Sequence, residues 1–307
     1  MLHLKGLLRG PFLFWQEKDS LIQVPRKGFS VAGSELFLLL ALAVLGSVAG
    51  LLAGLLGVGG GTVLVPALYV LGHTLYAASL SPDQVMHAAI GTSLAVIIPT
   101  GLSAAWAQSR RGMINWAVVR LMAPGQVIGV VFGIWAVSFL RGDFLQLIFA
   151  LGLFGLSFLT AKKIEPKHIM PVGLEKKYAG PTSFGVGFVS SLLGIGGAIL
   201  NVPYLSFSGV PFREAIASAS VLGVLVALPA AIGFGVIGGG AAGDGMPDYF
   251  WGYINLKAWV LIVPFSMMVA PLGVRLSHLL PVARLRTGFA IFLVVVACKM
   301  LWDVAAR

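Results

Sequence analysis

A glycine-rich segment closed by a proline occurs twice inside uncharged apolar sequence, and it constrains the fold more than any other feature of the chain. The first copy reads Gly57-Val58-Gly59-Gly60-Gly61-Thr62-Val63-Leu64-Val65-Pro66 and the second Gly194-Ile195-Gly196-Gly197-Ala198-Ile199-Leu200-Asn201-Val202-Pro203. Glycine costs about 1 kcal/mol per residue in a helix interior and proline about 3, so a helix that carries this cluster is expected to break. The setting is a membrane. Of 307 residues, 58% are hydrophobic and 10% charged, against about 25% charged in a soluble domain. Several apolar runs reach the roughly 20 residues that cross a hydrocarbon layer as a helix. No short alternating segments of the barrel type occur. A broken membrane helix repeated in two halves of one chain is the sequence pattern of a transporter site.

The apolar segments fall into two sets of four. The first set is Leu36 to Leu71, Val85 to Ala107, Trp116 to Leu140 and Phe144 to Ala161; the second is Pro181 to Val210, Ala215 to Gly238, Ala258 to Leu276 and Ala283 to Leu301. This gives an N-terminal extension (1–35, interfacial or disordered), a first transmembrane repeat (36–161), a cytoplasmic linker (162–180), a second repeat (181–303) and a short tail (304–307). The halves align. Gly57, Gly59, Gly60, Pro66 and Gly72 match Gly194, Gly196, Gly197, Pro203 and Gly209; Ala89, Ile90 and Thr92 match Ala215, Ile216 and Ser218; Gly112, Asn115, Pro124 and Gly133 match Gly252, Asn255, Pro264 and Gly273. The fold expected is an all-α polytopic integral membrane protein of two homologous four-segment halves with glycine-broken helices.

Charge sets the orientation. If Pro181 to Val210 enters and returns on one side, its arms are about 13 and 12 residues, half-membrane length. Arg110, Arg111, Arg120, the linker lysines, Arg213, Arg275, Arg284 and Arg286 then share the cytoplasmic side with the linker, as the positive-inside rule requires. The halves become an inverted repeat. The first break leaves both options open, because Leu36 to Leu56 is long enough to span. The net charge of +10 is accounted for by cytoplasmic loops, without nucleic acid. One cysteine, Cys298, excludes a disulfide framework.

Irregular backbone at membrane depth must be buried in protein or face a wet cavity. The breaks are therefore expected to meet between the halves. Helix starts offer unpaired N–H groups and the positive end of a dipole, a site for an anion. The candidate substrate contacts are Gly59, Gly60, Gly61 and Thr62 in the first break, and Gly196, Gly197, Ala198 and Asn201 in the second. The hydroxyls of Thr92, Ser93 and Ser218 are added as donors to an anion. Each has a bland alternative: close helix packing for the glycines and bonding to a local carbonyl for the hydroxyls. Gln126 is a weaker cavity candidate. His87 reads as interfacial, and Asn115 and Asn255 as matched helix N-caps. No enzyme motif is present: no Gly-Lys-Ser/Thr follows the glycines, no dinucleotide fingerprint sits between strand and helix, and the histidines form no zinc spacing. No catalytic residue, metal site or cofactor is expected.

Gly57 to Pro66, its echo at 194–203 and Ala89-Ile90-Gly91-Thr92-Ser93 resemble the sulfite exporter TauE/SafE family over about residues 36 to 303. The resemblance implies a multi-pass protein of the bacterial inner membrane that exports a small sulfur-containing anion, such as sulfite or an organosulfonate like sulfoacetate. It places substrate contacts at the two breaks and at Thr92, Ser93 and Ser218. The chain departs from the family pattern at Ala198, where a third glycine is expected, and at Ser218-Ala219, where Thr-Ser is. The partners expected are the lipid bilayer and the anion, with no oligomeric state legible. The function expected is secondary transport by alternating access. The alternatives are a channel-like anion conduit, or a non-transport membrane assembly factor or lipid-acting enzyme.

Overall fold

In the computed structural model, residues 31–57, 59–75, 80–161, 176–241, 246–279 and 281–305 are described. Residues 1–30 of the extension and most of the central linker lie outside them. The order is α1 (Val31–Leu56), α2 (Gly61–Leu75), α3 (Pro82–Ser109), α4 (Trp116–Val137), α5 (Gly142–Ala161), α6 (Lys176–Leu193), α7 (Ala198–Phe207), α8 (Phe212–Ala241), the hairpin β1 (Phe250–Trp251) and β2 (Ile254–Asn255), α9 (Leu256–Leu279) and α10 (Val282–Ala305). The chain is an all-α polytopic membrane protein. Among the described residues, five stretches are long and apolar enough to span: Leu38–Leu56, Asp83–Ser109, Trp116–Val137, Phe212–Gly239 and Leu256–Leu279. The chain divides after Leu40 into two units. The described residues of the first are helical. The second, Ala41–Arg307, holds both glycine clusters, α1 from Ala41 onward and the helices α2 to α10.

Both glycine clusters interrupt helices. Gly57, Gly59 and Gly60 have φ of +68°, +72° and +77°; Gly194, Gly196 and Gly197 have +64°, +67° and +73°. A side chain in this region clashes with the next carbonyl at about 1–2 kcal/mol per residue, so six positions demand glycine. Ala198 sits where Gly61 does, at the first helical residue after the break, where φ is not positive. The alanine therefore costs no backbone strain. Gly72 and Gly209 differ, although the sequence aligns them. Gly72 lies within α2, whereas Gly209 has φ +86° and closes α7. The N–H of Val210 donates to Leu205 O and that of Gly209 to Ser206 O, the paired bonds of a Schellman stop. Hence α2 has 15 residues and α7 only 10. The arm before the second break is longer than the sequence suggested: α6 has 18 residues and starts at Lys176, inside the stretch read as linker. Pro181 lies one turn from that start, where the carbonyl it leaves unpaired can be solvated.

Small residues bring the long helices together. A Cβ on Gly50 of α1 would strike Ser266 O of α9, and one on Gly187 of α6 would strike Gln126 O of α4. Gly54 abuts Ala270 and Gly273, while Gly129 and Gly133 abut Phe184 and Phe188. Contacts advance in the same direction on both helices of each pair, so α1 runs parallel to α9 and α6 parallel to α4. α5 and α10 run antiparallel: Gln146 Nε2 donates to Met300 O at 3.1 Å, and Ser157 Oγ to Ala290 O at 3.0 Å. Close approach of this kind, more than hydrophobicity, drives association in lipid. Around the outside, Ile128, Val131, Phe132 and Trp135 of α4 are exposed as a lipid-facing stripe. α3 is the central helix, with Ile90, Leu94 and Ile97 fully buried. The polar ends sort as well. Gln108, Arg213 and His278 line one pocket and Asn115 lies against Glu214, so Arg110, Arg111, Arg120, Arg213 and Arg275 gather at one end of the bundle.

Candidate substrate site between the helix breaks

The two breaks touch. A Cβ on Gly61 would lie 2.6 Å from Gly194 O and 2.8 Å from the Ile195 Cα. Ile97 of α3 wedges between them: its Cγ2 would be 3.1 Å from a Cβ on Gly59 and 2.9 Å from one on Gly196. Beside this wedge is a narrow, partly open space with room for about one water, lined by Ala53, Gly57, Gly59, Ile97, Gly101, Ala104, Ala198, Ser220 and Gly223. It draws on both breaks and on α1, α3 and α8. Among the described residues the lining carries no charge, and its one hydroxyl, Ser220 Oγ, donates to Ile216 O at 3.1 Å in its own helix. The space is one-sided. Gly223 matches Ile97 at the offset that pairs Thr92 with Ser218, so one half offers a glycine where the other offers the wedge.

Of the residues expected at the site, Gly59 and Ala198 line the space. Gly60 packs on Ala49, Gly196 on Ile97, and Gly197 on Ser190 and Val226. Thr62 is fully buried with its Oγ1 unpartnered, as is Ser190 beside Gly197. Asn201 and Gln126 form a reciprocal amide pair, both fully buried. Gln126 Nε2 donates to Asn201 Oδ1 at 2.6 Å, and Asn201 Nδ2 donates to Gln126 Oε1 at 3.3 Å. That pairing removes much of the cost of two amides at membrane depth, and it joins α7 to α4.

The three hydroxyls bind backbone. Ser93 Oγ donates to Gly194 O at 3.0 Å, tying α3 to the second break. Thr92 Oγ1 accepts the N–H of Asn255 at 2.9 Å, and Ser218 Oγ accepts the N–H of Asn115 at 3.0 Å. Each asparagine in turn caps its helix: Asn115 Oδ1 accepts from Val118 N at 3.2 Å and Asn255 Oδ1 from Ala258 N at 3.0 Å. The two arrangements are reciprocal, since Thr92 of the first half serves Asn255 of the second and Ser218 of the second serves Asn115 of the first. His87 lies at the opposite end of the bundle from Arg110, Arg111, Arg120, Arg213 and Arg275, stacked on Tyr253 with ring centroids 5.0 Å apart. Burial, reinforced by the Asp83 carboxylate, raises the Tyr253 phenol above its ordinary pKa.

Sequence reasoning did not find Ala53, Ile97, Gly101, Ala104, Ser220 and Gly223. The only signal was small-residue content in α3 and α8, which helix packing explains equally well. No metal-binding cluster occurs among the described residues.

Comparison with known proteins agrees with this architecture. The family described as sulfite exporter TauE/SafE matches residues 42–300. The chain is 35% identical over 264 residues to a probable membrane transporter protein of Haemophilus influenzae, covering 86% of this chain and 98% of that one. It is 25% identical over 281 residues to the probable membrane transporter protein YunE of Bacillus subtilis, covering 85% and 97%. A probable membrane transporter protein of Methanocaldococcus jannaschii is 28% identical over 271 residues, covering 87% and 96%. No solved structure matches the chain. The double glycine break, the helical membrane architecture and a match across nearly the whole chain together place this protein in the sulfite exporter TauE/SafE family of membrane transporters.

Proposed function

We propose that the protein is a secondary transporter of the bacterial inner membrane, exporting a small sulfur-containing anion, sulfite or an organosulfonate such as sulfoacetate, by alternating access. The observation that carries this reading is the space between the breaks, where left-handed glycines of one half meet the start of α7 from the other. Successive glycines in such turns form concavities of backbone N–H groups that hold anions. The positive ends of α2 and α7 add to that field. An anion would be held without a fixed cation, and weakly held cargo leaves easily. Gly57, Gly59, Gly196, Ala198 and Gly223 would contact it, with Gly60, Gly61 and Gly197 shaping the turns. Thr62, Asn201, Thr92, Ser93 and Ser218 would hold the breaks in place.

The proposed transporter is an inverted repeat with its arginine-rich end in the cytoplasm. Its support is the reciprocity already described: α1 parallel to α9 and α6 parallel to α4, and Thr92–Asn255 mirrored by Ser218–Asn115. In this orientation α6 and α7 enter and return from the cytoplasmic side, and α1 and α2 from the other. Rocking one half against the other about the Ile97 wedge would open the space to each side in turn.

Ligand-induced stabilisation tests the site. Purified protein is heated with sulfite, sulfoacetate, taurine or sulfate, and at 100 times Kd a bound anion adds about 2.7 kcal/mol of stability. At least one sulfur anion is expected to raise the Tm of the wild type and not that of Gly223→Val, which fills the space. Stabilisation by none of them, or equal stabilisation of the variant, contradicts the assignment.

A further inference from the structure

We propose that a second anion pocket, built for a small oxyanion such as a sulfonate, lies at the arginine-rich end of the bundle beside the space between the breaks. Leu55 and Leu56 of α1, Gln108 of α3, Phe212, Arg213 and Ile216 of α8, and Ser277 and His278 of α9 line a small, partly open cleft. Its walls hold two polar atoms with nothing to bind. Gln108 is 2% exposed, and its side-chain oxygen and His278 Nε2 are both buried without a hydrogen-bond partner. A buried polar group left unpaired is costly, and such groups mark a ligand or water position.

The charge around the pocket has one sign. Arg213 is part of the lining, and Arg111 and Arg213 both act electrostatically on His278. Among the described residues no carboxylate lines the space; the neighbouring Glu214 is within 3.5 Å of the Asn115 amide. Arg213 supplies a forked guanidinium, and the His278 Nε2–H supplies a donor in the matching tautomer. The Gln108 amide supplies another with its NH₂ turned inward, since the two ends of an amide are interchangeable in shape. Ser277 Oγ donates to Val274 O at 2.8 Å, which leaves its oxygen to accept. Leu55, Leu56 and Ile216 form an apolar floor. Arg213 repels a cation here, whereas an oxyanion has three donors.

The pocket also adjoins the first site. A Cβ on Gly57, which lines the break space, would lie 2.7 Å from the carbonyl oxygen of Ile216, which lines this pocket. On the transport reading above, on which this role rests, an anion entering from the cytoplasm would wait at Arg213 and His278 before passing Gly57.

The test uses thiol labelling, which needs no flux. In a Cys298→Ser background, Ser277→Cys places one thiol on the pocket wall. It is labelled with 2-sulfonatoethyl methanethiosulfonate and, separately, with the trimethylammonioethyl reagent of opposite charge. The anionic reagent is expected to be favoured, and adding Arg213→Gln is expected to cut that preference roughly tenfold, the scale set by one charge about 6 Å away in a water-like dielectric acting with opposite sign on the two reagents. Arg213→Lys keeps the preference. Sulfoacetate slows labelling in the protein that retains Arg213 and not in the one carrying Arg213→Gln. Rates blind to reagent charge, or a preference that survives Arg213→Gln, overturn the pocket. If Ser277→Cys fails to fold, Ile216→Cys offers a thiol from the α8 wall and is judged by the same outcomes. Failure of the transport reading looks different: protected, Arg213-dependent labelling in a protein that moves no anion keeps the pocket and rejects the path.

Discussion

Replacing Gly59 by alanine should separate what the break costs in backbone strain from what it does for the anion. Gly59 has φ +72°, and its new Cβ would lie 3.1 Å from Ile97 Cγ2. The left-handed conformation costs a non-glycine residue about 1–2 kcal/mol, and the contact with Ile97 requires a shift of a few tenths of an ångström. Two control positions bracket this. Gly112 has φ +66° with nothing within 4 Å of a Cβ, so Gly112→Ala carries the strain alone. Gly155 lies in α5 with open space around its Cβ, so Gly155→Ala is expected to gain up to about 1 kcal/mol from helix propensity. Reversible unfolding in mixed micelles should rank the proteins Gly155→Ala, wild type, Gly112→Ala, Gly59→Ala, with about 1–2 kcal/mol between the middle two. Flux should follow a different order: Gly112→Ala and Gly155→Ala transport as wild type does, and Gly59→Ala falls at least tenfold. A Gly112→Ala protein as inactive as Gly59→Ala, or a Gly59→Ala protein that transports normally despite its lost stability, would rule out a role for Gly59 in holding the anion.

Two further predictions concern the scaffold around the site. The Asn201–Gln126 pair should appear in a double-mutant cycle of Asn201→Ala and Gln126→Ala. Membrane hydrogen bonds average about 0.6 kcal/mol in such cycles, so two bonds predict a coupling of about 1 kcal/mol in unfolding free energy, and additivity of the single variants would contradict the pairing. Thr92→Val removes the hydroxyl to which the buried Asn255 N–H donates, at about 1–3 kcal/mol. Ser218→Ala does the same to the half-buried Asn115 and should cost less. Hydrogen exchange at the Asn255 amide, fast in Thr92→Val and slow in the wild type, checks the first. An unchanged rate would sink it.

The breaks were legible because glycine is the one residue that takes positive φ cheaply, so Gly57, Gly59 and Gly60 and their echo announce their own backbone. Asn115 and Asn255 were legible for a similarly local reason, as caps that bond three residues onward. Partners across the fold were not. Asn201 needs Gln126, 75 residues away, and no spacing rule connects them. Thr92 and Ser218 stood out as hydroxyls in apolar helices, but their use as acceptors for capping asparagines in the opposite half is a tertiary fact. Ile97 and Gly223 carried no signal, because an isoleucine in a buried helix and a glycine in a small-residue helix are both ordinary. The lengths of α6 and α7 escaped because helix ends depend on solvated turns and on Gly209.

In the proposed mechanism the space between the breaks carries a sulfur-containing anion across the membrane by alternating access. Counterflow in proteoliposomes tests it most directly. Vesicles are loaded with millimolar unlabelled sulfoacetate or sulfite and diluted into a trace of the labelled anion. A carrier should accumulate label transiently above equilibrium, with saturation, and lose this in Gly59→Ala but not in Gly112→Ala. Label that only equilibrates, without overshoot and in proportion to concentration, or no protein-dependent entry of either anion, would contradict the account.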